Sequence, residues 1–140
     1  MRLLLVFTLV VGLLGCQLAV NTDVQPVDNQ LAIKVSGRYT ITDLSSNSQG
    51  VLIPKPDFTA SVTVVAIANY KANMTVFVSQ NGIRFATFYL GGFELSKGNN
   101  ETIDFTQGSQ NAGSATKTKI NIFGLDQNNN LVRFSGIKQL

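Results

Sequence analysis

The chain has 140 residues, of which 44% are hydrophobic and 14% charged, a length that suits one ordinary domain and a composition that excludes an intrinsically disordered chain. With one cysteine and neither histidine nor tryptophan, disulfide frameworks, Cys/His zinc sites and the commonest general base are excluded together. The formal charge is +3, and the basic residues stand singly at Lys34, Arg38, Lys55, Lys71 and Arg84, with only Lys117 and Lys119 close together. No stripe is offered to a phosphate backbone, so nucleic acid is not an expected partner.

The chain opens on Met1-Arg2, continues as an apolar and small run from Leu3 to Leu14, and reaches Gly15-Cys16. A run of about a dozen residues is too short to cross a hydrocarbon core of roughly 30 Å as a helix, whereas it matches the apolar region of a helical secretory signal peptide. Leu13-Leu14-Gly15-Cys16 resembles the lipobox of bacterial lipoproteins, with Leu three before the Cys and Gly directly before it. The resemblance implies that the Cys16 thiol is diacylated, that the signal is cut before it, and that the new amino group is commonly acylated too. Two or three acyl chains, each contributing about 0.8 kcal/mol per buried methylene, would then hold the protein to the membrane without a spanning segment.

Gln17 stands where Asp would mark inner-membrane retention in Gram-negative lipoproteins, so the resemblance favours the outer membrane there, and the outer face of the membrane in a cell with only one. Loss of Arg2 from the 11 Lys and Arg leaves 10 against 8 Asp and Glu, a net charge of +2. The expected organisation is a signal peptide over residues 1–15, a lipidated Cys16 and flexible tether over 16–30 with Pro26 inside it, and a β domain over 31–140.

From Ala32 the hydrophobic period is two: Ile33, Val35, Gly37, Tyr39 and Ile41 alternate with Lys34, Ser36, Arg38, Thr40 and Thr42, which predicts a strand with one face on a core. A polar loop from Asp43 to Gly50 ends it, and Pro54-Lys55-Pro56-Asp57 cuts the following Val51-Leu52-Ile53 run down to an edge strand. Thr59 to Asn69 carries apolar residues on both parities (Val62, Val64 and Ala66; Val65 and Ile67) and reads as a central strand covered on both sides.

Asn73 to Gln80 and Ile83 to Leu90 flank Asn81-Gly82, the strongest two-residue hairpin signal, because both residues tolerate the positive φ of a type I′ turn. An uninterrupted ladder from that turn sets Val78 against Phe85, Val76 against Thr87 and Met74 against Tyr89 on one face. The other face then pairs Phe77 with Ala86, Thr75 with Phe88 and Ser79 with Arg84. Gly91-Gly92 closes the unit. Thr102 to Thr106 reads as a short strand and Gln107 to Ala115 as a Gly/Ser/Gln/Asn loop. Thr116 to Leu125 and Leu131 to Ile137 form a last pair around Asp126 to Asn130.

No sustained apolar period of 3.6 follows the signal segment, and no internal repeat of fixed length is present. Seven or eight short strands separated by turn clusters fit a sandwich or barrel, and the expected fold is an all-β antiparallel sandwich, immunoglobulin-like or transthyretin-like.

Candidate chemistry is sparse. Asp126-Gln127-Asn128-Asn129-Asn130 partly echoes a calcium loop, but the positions that need Gly and an acidic residue hold Leu131 and Ile137, so a plain hairpin turn is the reading. Glu94, Glu101 and Asp104 are the carboxylates nearest to strands, and no surrounding motif pairs them. There is no phosphate loop or nucleophile elbow. No enzymatic activity and no cofactor are expected.

Phe77, Ala86, Phe88 and Leu90, next to Arg84, make one hairpin face too apolar for bare solvent. They form a candidate interaction patch unless loops or a second sheet cover them. The functional expectation is a lipid-anchored, non-catalytic envelope module that binds another envelope protein or serves as an accessory component. The alternative is a glycan or small-ligand binder using loops at one end of the domain, with Asn99-Asn100 and Asn128 to Asn130 supplying amides. Without Trp, only Tyr39, Tyr70 and Tyr89 could give a sugar a hydroxyl-bearing ring.

Overall fold

The computed structural model describes residues 30–48 and 52–140. The expected signal peptide, Cys16 and nearly all of the tether lie outside the described residues. One short helix, α1 (Leu31–Val35), precedes nine strands: β1 (Gly37–Ser46), β2 (Leu52–Ile53), β3 (Phe58–Ala68), β4 (Lys71–Gln80), β5 (Ile83–Lys97), β6 (Ile103–Gln107), β7 (Gln110–Ala115), β8 (Lys119–Leu125) and β9 (Leu131–Lys138).

Consecutive strands from β3 to β9 pair antiparallel, β1 joins β3, and β1 also pairs with β9 along a ladder from Tyr39 opposite Lys138 to Ser46 opposite Val132. That last ladder closes eight strands into a barrel and overturns the expected sandwich. Alternation along each strand identifies a buried face, but it is the same whether the first and last strands pair or lie apart in two facing sheets. The ninth strand, β2, is the expected edge strand: it pairs only with Leu44 and Ser45 of β1, beyond the point where β3 leaves off.

Eight strands leave an interior just wide enough for side chains to fill. Tyr39, Val62, Phe93, Phe105, Ile122 and Phe134 fill it, each wholly buried, and the Phe93 and Phe105 rings meet edge to face at 5.9 Å. Outward positions carry Arg38, Thr40, Lys71 and Asn121. The apolar interior is the reverse of the polar lumen of a barrel whose outer wall faces lipid, and the outer wall is mixed, with Val65, Ile67, Phe123 and Ile137 exposed among the polar residues.

Several segments depart from their sequence reading, among them Asp43 to Ser46, which continue β1 where a polar loop was expected. Residues 31–35 form a helical turn and not the start of a strand. Leu31, Ala32 and Val35 fall on one face of the turn and are buried as a plug in one mouth of the barrel, while Ile33 points to solvent. The plug is tied down by the Ala32 N–H donating to the Asn69 carbonyl at 3.0 Å and by the Tyr39 hydroxyl donating to the Val35 carbonyl at 2.7 Å. Burial raises the Tyr39 phenol to about 12.

Residues 110–115 are strand β7 and not loop, despite a poor strand composition. Ala112 and Ala115 are small enough to face inward where β7 crosses β8 closely. Residues 91–92 do not end a unit. They form a bulge opposite Asn73, whose side-chain oxygen accepts the Gly92 N–H at 3.2 Å, and β5 bends there and runs on to pair with β6. The strand β3 is central as expected, but only one of its faces is covered, since Val65 and Ile67 are exposed.

The Asn81-Gly82 turn is present, with φ of 52° and 79°, and Ser79 faces Arg84 as expected. Beyond that pair the register slips by one, because Phe85 is an extra residue: Val78 faces Ala86, Val76 faces Phe88, and Met74 faces Leu90.

Candidate interaction surfaces

The one-residue slip decides where the expected patch goes. A shift of one turns every side chain of a strand to the opposite face, so Phe88 and Leu90 enter the barrel beside Val76 and Met74 and are buried. Ala86 is half-buried against the same core. Phe77 and Arg84 stay outside, with the guanidinium 4.5 Å from the centre of the Phe77 ring. The five residues therefore do not make one surface.

A different apolar surface takes their place. The first half of β5 has β4 on one side, whereas β6 pairs only with Phe93 to Lys97. From Ile83 to Phe88 the other edge of β5 has no strand beside it among the described residues. Ile83 (75% exposed) and Phe85 (47%) lie on this stretch, Tyr89 (52%) is exposed just beyond it, where its carbonyl accepts the Gln127 N–H at 3.2 Å, and Phe58 of β3 meets Phe85 edge to face at 5.2 Å. An apolar strand edge with open backbone groups is a template for pairing with another chain. Just below it, Gln107 joins β5 to β8: its amide donates to the carbonyls of Gly91 at 2.8 Å and Leu125 at 3.0 Å and accepts the Leu125 N–H at 2.7 Å.

At the opposite end, beside α1, lies a cleft of about 690 Å³ lined by Leu31, Ile103, Thr102, Thr116 and Thr118 and by four lysines, Lys34, Lys97, Lys117 and Lys138. The lysines come from α1, β5, the β7–β8 turn and β9, so residues far apart in the chain meet at one mouth of the barrel. Glu101 is the acidic residue in the lining. Lys138 is held in place, donating to the Lys34 carbonyl at 2.9 Å.

No protein-family model matches the sequence. No curated protein matches it either. Among solved structures, a redesigned β-barrel is similar with a TM-score of 0.43 and 12% identity, over 79% of this chain and 96% of that one. Likeness at that level adds nothing to the barrel assignment, which rests on the β1–β9 ladder.

The two Asn-rich stretches do not share an end. Asn99 and Asn100 lie in the β5–β6 loop beside α1, and Asn128 to Asn130 lie in the β8–β9 loop at the far mouth, so they cannot build one glycan site. The far loop is a hairpin turn organised by Asp126, whose Oδ1 accepts the N–H groups of Asn128 and Asn130, each at 2.8 Å, while Oδ2 accepts the Asn130 amide at 3.2 Å. The carboxylate is spent on its own loop.

Burial acts to raise the Asp126 carboxyl, but the Asn130 and Asn128 N–H groups and the Asn130 amide outweigh it and hold it below its usual value. A depressed folded-state value means that the contribution to stability is present above the unfolded-state value near 4 and is lost as pH falls through the lower folded one. Asp126→Ala is expected to cost about 1–3 kcal/mol at neutral pH by urea denaturation. The gap from the wild type should narrow steadily below about pH 4.

Proposed function

We propose that this chain is a non-catalytic binding module held in the cell envelope by lipid on Cys16, at the outer membrane where the cell has two. There it engages another envelope protein along the open edge of β5. The observation that carries the reading is that edge: from Ile83 to Phe88 it lacks a strand neighbour among the described residues while presenting Ile83 and Phe85 to solvent, with Tyr89 exposed just beyond it. A partner supplying one extended segment would complete the ladder, with main-chain hydrogen bonds giving affinity and the aromatic side chains giving specificity. The apolar interior argues that an anchor, and not the barrel wall, makes the membrane attachment.

Capture from detergent-solubilised envelopes should recover a specific partner with the wild type and lose it with Phe85→Asp combined with Tyr89→Asp. Palmitate should label the wild type and not Cys16→Ser. Equal recovery with the double variant removes the edge from the reading, and absence of label from the wild type removes the anchor.

The cleft beside α1 favours a second reading, a small-ligand binder, because Leu31 and Ile103 offer an apolar floor and Thr102, Thr116 and Thr118 offer hydroxyls. A glycan array and a ligand screen read by thermal shift test it. No hits in either would dismiss it.

A further inference from the structure

We infer that the α1 end of the barrel rests on an anionic membrane surface, which leaves the open β5 edge free for its partner. The inference builds on the lipid-anchored reading, because it concerns how an anchored barrel is oriented.

Six of the seven lysines stand at this end: Lys34 on α1, Lys71 at the start of β4, Lys97 at the end of β5, Lys117 in the β7–β8 turn, Lys119 at the start of β8 and Lys138 at the end of β9. Lys55 alone lies toward the other mouth. Among the described residues, Glu94, Glu101 and Asp104 are the acidic residues on this half, and Glu94 is 3.5 Å from Lys71. The far half holds Asp43, Asp57 and Asp126 against Lys55, Arg84 and Arg133. Among the described residues the positive surplus is therefore concentrated at one mouth, where it complements anionic headgroups.

Two further observations select a bilayer as the occupant. Ile33 (59% exposed) and Tyr70 (54%) project at the same end, and the Lys71 ammonium lies 5.6 Å from the centre of the Tyr70 ring. An aliphatic side chain and a hydroxyl-bearing ring beside ammonium groups suit the boundary between headgroups and acyl chains. The chain also joins the barrel here, at Gln30, so an anchor at Cys16 pulls this end toward the bilayer and not the Asn81 end.

The test uses the full chain carrying Cys16→Ser, with vesicles of phosphatidylcholine alone or with one third phosphatidylglycerol. Subtracting binding to the neutral vesicles removes any contribution from the apolar amino-terminal run. Phosphatidylglycerol should raise binding, and added salt should reverse the rise. Changing Lys97, Lys117 and Lys119 together to Gln should weaken the phosphatidylglycerol-dependent part by roughly fivefold per lysine. Lys55→Gln with Arg84→Gln should leave it unchanged, and urea midpoints close to wild type for both variants show that the fold is kept.

Equal losses from the two variants, or no response to phosphatidylglycerol, overturn the inference. Inorganic phosphate at matched ionic strength should not compete. Displacement from the vesicles by phosphate would mean a site for a single phosphate group and would likewise overturn it. Because the vesicle assay needs no acylation, its failure is distinguishable from loss of palmitate labelling in the wild type, which would sink the anchored reading itself.

Discussion

Phe88→Asp is expected to leave the chain unfolded, whereas Tyr89→Asp one position later should leave the barrel standing. Phe88 is buried opposite Val76, while Tyr89 projects to solvent opposite Thr75. Truncating a core Phe costs about 3–5 kcal/mol, and a carboxylate with no partner in the barrel adds several more. Together these fall within the roughly 5–15 kcal/mol that holds a domain of this size together, enough to remove most or all of it. Tyr89→Asp gives up part of one exposed ring and should cost about 1 kcal/mol or less.

Far-UV circular dichroism and urea denaturation of the two variants check this directly. The contrast is a test of the bulge at Phe85, since an uninterrupted hairpin ladder would place Phe88 and Tyr89 on the opposite faces. A stable Phe88→Asp beside an unfolded Tyr89→Asp would contradict the register.

The second large effect is expected at Gly113, where Gly113→Ala should lower stability by about 3 kcal/mol or more. Gly113 has φ of +114°, in the region that favours glycine, and a Cβ added there would run into the Asn121 carbonyl oxygen of the neighbouring strand. The collision is with backbone, so it can be relieved only by moving β8. The β7–β8 ladder is the weak seam of the closed barrel, holding just Gly113 to Ile122, Ser114 to Asn121 and Ala115 to Ile120. Separating β7 from β8 would open the barrel along that line.

Gly108→Ala is the control, because Gly108 also has a positive φ, +62°, but has nothing within 4 Å of an added Cβ. It should cost only about 1 kcal/mol. Urea midpoints compare the two, and amide exchange should accelerate across β7 and β8 in Gly113→Ala alone. Equal costs would show that the close crossing is absent.

Much of the fold is legible in the residues. The all-β class, the type I′ turn at Asn81-Gly82, the edge character of Leu52 and Ile53 and the last hairpin around Asp126 to Asn130 all follow from local pattern and turn chemistry, which act over a few neighbouring residues. The plug at 31–35 was not legible, because Leu31, Ala32 and Val35 fit either a strand beginning or a single helical turn. Only a barrel mouth needing closure selects the turn. The strand at 110–115 was hidden for the related reason that Gly and Ala are poor strand formers, chosen here because β8 comes so close. Gln107 gave no signal at all: its role depends on Gly91 and Leu125 arriving from two other strands.

Of the candidate surfaces, the sequence supplied the ingredients and placed them wrongly. Phe77, Arg84, Ala86, Phe88 and Leu90 look like one face until one extra residue at Phe85 turns half of them inward. Lysines that stand singly in the chain become a cluster because antiparallel strands bring alternate connections to the same mouth.

What the amino-acid order determined by itself was most of the strands and their turns and the resemblance of Leu13 to Cys16 to a lipobox, since each depends on short-range spacing. Closure of β1 onto β9, the slip that buries Phe88, and the gathering of lysines beside α1 were decided only by the tertiary structure. They depend on contacts between residues up to about a hundred positions apart, and no local preference carries that information.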